Sequence, residues 1–147
     1  MEEKTLKELN SQLEGVIMGE NEIIKLLEKA RDYKVIELLD NTLATAEKNK
    51  ELIIDEIKEL GGIPTHNEGA FGKMLEIFNS IKEMTIDTDK EILEKAIKGT
   101  EMGFKAILDF LIKNENLHEH FKKELIEISD EYSKDIKKMQ EYLIELE

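Results

Sequence analysis

Apolar residues recur every three or four positions along most of the chain, and this spacing predicts four long helices. The helices are expected near residues 5–30, 34–60, 88–113 and 117–146. In each of them the apolar side chains fall on one face, as expected for a helix that packs against neighbours in a bundle. The face of the first helix consists of Leu6, Leu9, Leu13, Val16, Ile23, Leu27 and Ala30. The pattern predicts an all-α protein.

The connections between these helices differ in length, and the difference predicts how the helices are arranged. The short stretches "RDYK" and "KNEN" are typical of antiparallel neighbours. The second helix should stop at "GGIP", because glycine can end a helix and Pro64 cannot continue it. A long crossover follows, and its amphipathic segment near 70–84 predicts a short extra helix. Helices 2 and 3 should then be parallel, which is the arrangement of a ferritin-like four-helix bundle.

Composition limits the classes of protein to which the chain can belong. A length of 147 residues suits a single domain, residues 1–147, and the absence of cysteine excludes disulfides and thiolate chemistry. The net charge of −13 is spread along the chain, so nucleic acid and anionic membranes are not expected as partners. No apolar run approaches the ~20 residues that cross a membrane, and the charged N-terminus does not have the pattern of a signal peptide. We expect a cytoplasmic protein.

Three stretches of the chain resemble a known bacterial family. They are "LNSQLEGVIMGENEI" in the first helix, "ELGGIP" at the end of the second, and "ILEKAIKGTEMGFKAIL" in the third. They are similar to domain of unknown function 2383, a four-helix-bundle family within the ferritin-like superfamily, over about residues 5–113. The resemblance implies a ferritin-like bundle and no particular reaction, because the family has none assigned.

Ferritin-like di-iron proteins place one Glu on each of two helices and a Glu-x-x-His on each of the other two. Glu20 fits the first single Glu, and it matches the glycine-glutamate pair of the resembling family. In the second helix Glu47 is followed three positions later by Lys50 instead of histidine. In the third, Thr100 stands where the resembling family tends to have a glutamate. We therefore predict no cofactor and no metal site.

A site made only of carboxylates is the alternative, because hard cations accept oxygen ligands. Its ligands would be Glu20, Glu47, Glu101 and Glu131, and it would hold di-iron or di-manganese. The three histidines are not predicted to be metal ligands. Glu115 and His118 form a Glu-x-x-His, but they and His120 lie where the fourth helix begins, so we interpret them as solvated residues at a bundle end. His66 lies in the crossover and is expected to be exposed.

Two charges interrupt apolar faces, Glu20 in the first helix and Lys50 in the second. Both lie about midway along helices expected to be antiparallel neighbours. A buried lone charge is costly, so each needs a partner. We predict that Glu20 and Lys50 form a buried ion pair.

Two pairs of glycines lie inside helices, Gly15 with Gly19 and Gly99 with Gly103. Each costs about 0.5–1 kcal/mol relative to alanine. Glycines four residues apart share one helix face, and removing side chains there lets another backbone approach. We predict that helices 1 and 3 pack closely through these glycines.

The motifs of common catalytic sites are missing, since the chain has no phosphate loop, no nucleotide glycine fingerprint and no nucleophile elbow. The leading interpretation is a non-catalytic helical bundle that acts through protein–protein contacts, as a homodimer or with another protein. The alternative is a divergent di-metal carboxylate protein with oxidase-like, peroxidase-like or metal-handling activity. A third hypothesis is a carrier of a small apolar ligand held between the helices.

Overall fold

The structure is a computed structural model that describes residues 2–66 and 88–146. The described residues form four long helices without strands, which confirms the predicted all-α four-helix bundle. The helix predicted near 70–84 lies outside the described residues. The helices are α1 (Glu2–Lys29), α2 (Tyr33–Glu59), α3 (Asp89–Lys113) and α4 (Glu119–Glu145).

Each helix has two neighbours in the bundle. α1 packs against α2 and α3, α4 packs against the same two helices, and α2 and α3 lie on a diagonal. Residues near the end of α1 meet the start of α3, because the backbone N–H of Arg31 donates to Asp89 Oδ1 at 2.8 Å. α1 and α3 are therefore antiparallel. Because α1 is also antiparallel to α2 across their short turn, α2 and α3 are parallel, as the connection lengths predict.

Local chemistry fixes the helix ends. Asp32 caps α2 by accepting from the backbone N–H groups of Lys34 and Val35, and Thr88 caps α3 by accepting from that of Glu91. α2 ends at Glu59, and Gly61 just beyond it has a φ of 81°, in the left-handed region that glycine adopts without a steric penalty. These caps define the two ends of the bundle between which the core is built.

The core consists of two apolar clusters separated by polar residues at mid-length. One cluster lies toward the start of α1 and includes Leu13, Ile57 and Phe121. The other lies toward its end and includes Leu26 and Leu39. Between them lies a set of side chains that we call the central polar layer: Glu20, Asn49, Lys50, Thr100 and Tyr132.

The buried face of α2 is wider than its apolar spacing indicates and includes several polar side chains. These buried polar residues are Thr42, Thr45, Asn49 and Glu56. Three of them contact α4, and Glu56 contacts His118 just before it. The hydroxyl of Thr42 lies 3.8 Å from Met139 Sδ, and that of Thr45 donates to Asp135 Oδ2 at 2.6 Å. A helix with two packed neighbours buries two adjacent stripes, and here the second stripe is polar.

Candidate functional site

The central polar layer is organised around an ion pair. Lys50 Nζ lies 3.0 Å from Glu20 Oε1, joining α2 to α1 at the middle of both helices. The side chain of Glu20 is 9% exposed and that of Lys50 is 29% exposed, so the carboxylate lies inside the bundle and the ammonium reaches it from the edge. The positive charge of Lys50 therefore balances the negative charge of Glu20 in the bundle interior, where a bound metal cation would otherwise have to do so.

Asn49 and Tyr132 continue the central polar layer toward α4. The Asn49 Nδ2 group donates to the hydroxyl of Tyr132 at 3.3 Å, and both side chains are buried. Burial raises the pKa of Tyr132 to about 12, the hydrogen bond from Asn49 lowers it, and the negative charges of Asp135 and Glu20 raise it further. Tyr132 is therefore a neutral hydrogen-bonding group at any physiological pH, with no tendency to act as a base.

A second ion pair lies beside this layer, between α2 and α4. Lys48 Nζ lies 3.1 Å from Glu131 Oε1, with the Lys48 side chain 62% exposed and that of Glu131 38% exposed. Asp135, one turn further along α4, is half-buried, and desolvation raises the pKa of its carboxyl despite the hydrogen bond from Thr45. Asp135 thus accepts a hydrogen bond from the hydroxyl of Thr45, and Glu131 pairs with the ammonium of Lys48, both from α2.

The four carboxylates proposed as a metal site do not come together. Glu20 pairs with Lys50 and Glu131 with Lys48, while Glu47 and Glu101 are exposed. Two of the four already have a lysine as a partner, so these carboxylates do not form the cluster that the all-carboxylate alternative requires.

The glycine pairs of α1 and α3 do not form a close contact between these two helices. Among the described residues, a Cβ atom placed on Gly15, Gly19 or Gly99 would meet nothing within 4 Å, and one on Gly103 would meet the ring of Tyr132 at 3.8 Å. The predicted close approach of the first and third long helices through these glycines is therefore wrong. The nearest group to Gly103 is the ring of Tyr132 on α4 and not the backbone of α1.

The histidines lie where the sequence places them, but one has a partner that the sequence did not reveal. His66 is exposed, and His120 Nε2 lies 2.8 Å from Glu124 Oε1 on the surface of α4. His118 Nδ1 instead lies 3.2 Å from Glu56 Oε2, across the end of the bundle. Sequence reasoning missed Glu56. The signal that could have found it is heptad spacing, because Thr42, Asn49 and Glu56 occupy one buried line of α2.

One helix surface exposes several large apolar side chains. We call it the outer face of α3, and it also has charged residues of both signs. Ile112 is 76% exposed, and Met102 and Leu108 are exposed beside it. The exposed residues of this face are Lys98, Glu101, Met102, Lys105, Leu108, Asp109, Ile112 and Lys113. Their spacing of three and four residues places them on one side of the helix.

Fold and site together define an all-α four-helix bundle with a polar layer at mid-length. The family model of domain of unknown function DUF2383 matches residues 4–114, and the chain belongs to this family. Comparisons with curated proteins and with solved structures give no significant match. Among the helices that the structure describes, none combines the length and apolarity that a membrane span requires.

Proposed function

We propose that the chain is a ferritin-like bundle that acts through protein–protein contacts, as a homodimer formed through the outer face of α3. The observation that carries this proposal is the exposure of Met102, Leu108 and Ile112 on one side of one helix. Clustered exposed apolar side chains with polar residues around them are typical of association surfaces. The ferritin-like assignment is supported by the parallel, diagonal arrangement of α2 and α3.

The charges of this face favour a second copy of the chain as the occupant. Lys98, Glu101, Lys105, Asp109 and Lys113 alternate in sign along α3. If two copies of α3 pack antiparallel about a two-fold axis at the level of residue 107, Lys105 of each copy faces Asp109 of the other. The same axis sets Glu101 against Lys113, and Met102 against Ile112. An isologous interface requires this kind of self-complementarity.

The net charge of the chain also favours the outer face of α3 as the surface through which two copies meet. Two chains with a net charge of −13 repel each other over most of their surfaces. The outer face of α3 has three lysines against two acids, so it is a place where two copies can approach without that repulsion. Complementary charges of this type set partner choice and register more than affinity.

The di-metal alternative is disfavoured by the central polar layer. A di-metal centre at mid-bundle needs several anionic ligands around two cations. The corresponding position here holds the ammonium of Lys50 against Glu20, and the neighbouring Tyr132 is a neutral phenol. We propose a non-catalytic role in the cytoplasm. The absence of cysteine is compatible with this reducing compartment, in which disulfides do not persist.

The proposal is tested by light scattering coupled to gel filtration. The wild-type protein should have a mass close to twice 17.0 kDa. Ile112→Glu should give the monomer, because a carboxylate at the contact is desolvated without a partner. Ile144→Glu is the matched control: Ile144 is 84% exposed on α4, outside the proposed interface, and its substitution should leave the dimer intact.

Charge exchange tests the register of the dimer. Lys105→Glu should weaken dimerisation because it sets two acids against each other, and Lys105→Glu combined with Asp109→Lys should restore it. A monomeric wild-type protein would overturn the proposal. So would a dimer that survives Ile112→Glu, or a double variant that stays as weak as Lys105→Glu alone.

A further inference from the structure

The end of the bundle opposite the α1–α2 turn brings together three side chains with metal-binding atoms. Glu56 and Glu59 lie one turn apart at the end of α2, and His118 is the residue before the first turn of α4. The imidazole nitrogen and one carboxylate oxygen from each glutamate all lie within 4.8 Å of one another. It is the one such group of three among residues 2–66 and 88–146.

The two carboxylates of this group lie close together, with the His118 imidazole as their neighbour. Glu56 is 5% exposed, and desolvation raises the pKa of its carboxyl, with a further increase from the adjacent Glu59 and a decrease from His118. Carboxylate oxygens are acceptors only, so the contact between Glu56 and Glu59 has no donor when both are ionised. The C-terminus of a helix has a partial negative charge as well, which makes this an unfavourable place for two acids. A bound cation removes all three penalties.

The geometry suits a small transition-metal ion. His118 Nδ1 and Glu56 Oε2 are 3.2 Å apart. Two ligands of a tetrahedral zinc ion with bonds of about 2.0–2.1 Å are separated by about 3.3 Å. Glu59 is exposed, so its side chain is free to rotate into the third position, and water can fill the fourth. One imidazole nitrogen with two carboxylate oxygens is a ligand set that zinc accepts and that magnesium, which prefers oxygen alone, does not favour.

We propose that Glu56, Glu59 and His118 form a binding site for one divalent transition-metal ion, of the zinc class, that joins the end of α2 to the start of α4. The site differs from the ferritin-type position at mid-bundle and does not depend on the dimer. His118 is 59% exposed in its side chain, which leaves a path for the ion from solvent, while the buried Glu56 forms the inner side of the site. The metal would fix the short connection between α3 and α4.

Calorimetric titration of the chelator-treated protein with Zn²⁺ tests the site. We expect one saturable site per chain, retained in the presence of millimolar Mg²⁺, and a rise in melting temperature on adding the metal. His118→Ala and Glu59→Gln should each weaken binding at least tenfold. Both positions are exposed, so these variants should fold even where Glu56→Gln does not.

His120→Ala is the matched control, because His120 is an exposed histidine two residues away with its own carboxylate partner, Glu124. It should bind Zn²⁺ as the wild type does. Co²⁺ provides a second readout, since its visible absorption reports coordination directly. The site is overturned if the wild type shows no saturable binding, if His118→Ala binds normally, or if His120→Ala loses affinity to the same extent as His118→Ala.

Discussion

At the scale of single residues, the ion pair between Glu20 and Lys50 is expected to stabilise the fold. Glu20→Gln or Lys50→Met should each lower the free energy of unfolding by about 1.5–3 kcal/mol, the range for a hydrogen bond to a charged group. The larger cost of breaking a fully buried pair is not expected, because the Lys50 side chain is 29% exposed. Urea denaturation of both variants measures the loss.

Lys48 offers the matched control for this measurement. Its pair with Glu131 joins two accessible side chains, so Lys48→Met should change stability by about 0–1 kcal/mol. The double variant Glu20→Met with Lys50→Met should recover much of the loss, since apolar residues of similar volume can replace a buried pair. Single variants as stable as the wild type would show that the pair contributes nothing.

The same residues show what sequence can and cannot establish about a polar interior. Glu20 and Lys50 were recognisable because each stands where an apolar residue is due. Asn49 and Glu56 were not, because they lie beside the apolar stripe of α2, on the side that faces α4. A single amphipathic pattern identifies the middle of a buried face but not its width, and the width depends on how two neighbouring helices are placed around it.

At the scale of helices, Gly15, Gly19 and Gly99 lower helix stability without a compensating contact from the described residues. A Cβ on any of the three would meet no atom of residues 2–66 and 88–146 within 4 Å. Gly99→Ala should therefore raise the free energy of unfolding by about 0.5–1 kcal/mol through helix propensity alone. Thermal or urea denaturation provides the measurement.

Gly61→Ala is the contrasting variant in the same experiment. Gly61 has a φ of 81°, and the left-handed conformation costs a residue with a Cβ about 1–2 kcal/mol, so this change should destabilise. A loss of stability in Gly99→Ala would mean that the glycine is required by a contact outside the described residues. Sequence alone could not decide this question, because glycine spacing shows which residues share a face but not what lies opposite them.

Asp32 links the stability of α2 to pH. Its carboxylate caps the helix and accepts from the hydroxyl of Tyr142 at 2.8 Å. Partial desolvation raises the pKa of Asp32, but the hydrogen bonds from Tyr142 and from the Val35 and Lys34 backbone together hold it below the ordinary value of 3.8. A lowered folded-state pKa gives stability that is present above the ordinary carboxyl pKa and is lost as pH falls through the folded-state value.

Asp32→Ala should accordingly lower the free energy of unfolding at pH 7 by about 0.5–2 kcal/mol, the range for losing an N-cap. Its difference from the wild type should shrink once the pH falls below about 3.8. Asp40→Ala, at an exposed position of the same helix, should show neither effect. Denaturation curves between pH 2.5 and pH 7, roughly spanning the carboxyl range, make the comparison. A difference that stays constant over this range would contradict a role for the ionised cap.

At the scale of the whole molecule, the arrangement of helices followed from the connections as much as from the helices. Short turns made α1 antiparallel to α2 and α3 antiparallel to α4, and the long stretch before Thr88 allowed α2 and α3 to be parallel. The contacts that hold the end of the bundle could not be predicted. Asp89 accepts from the backbone N–H of Arg31 and Asp32 on the α1–α2 turn, a tertiary contact between residues that no local pattern connects.

The whole bundle also determines where metal can be held. A di-metal centre would have to displace Lys50 from Glu20 and gather further acids from helices where Glu47 and Glu101 point to solvent. Protein purified without chelator should therefore contain little iron or manganese by elemental analysis, and Glu20→Ala should not change its metal content. Zinc held at the other proposed site would be lost in His118→Ala and kept in Glu20→Ala, so the two positions are distinguishable in one experiment. Close to two metal ions per chain, lost in Glu20→Ala, would contradict the ion-pair interpretation of the interior and restore the di-metal alternative.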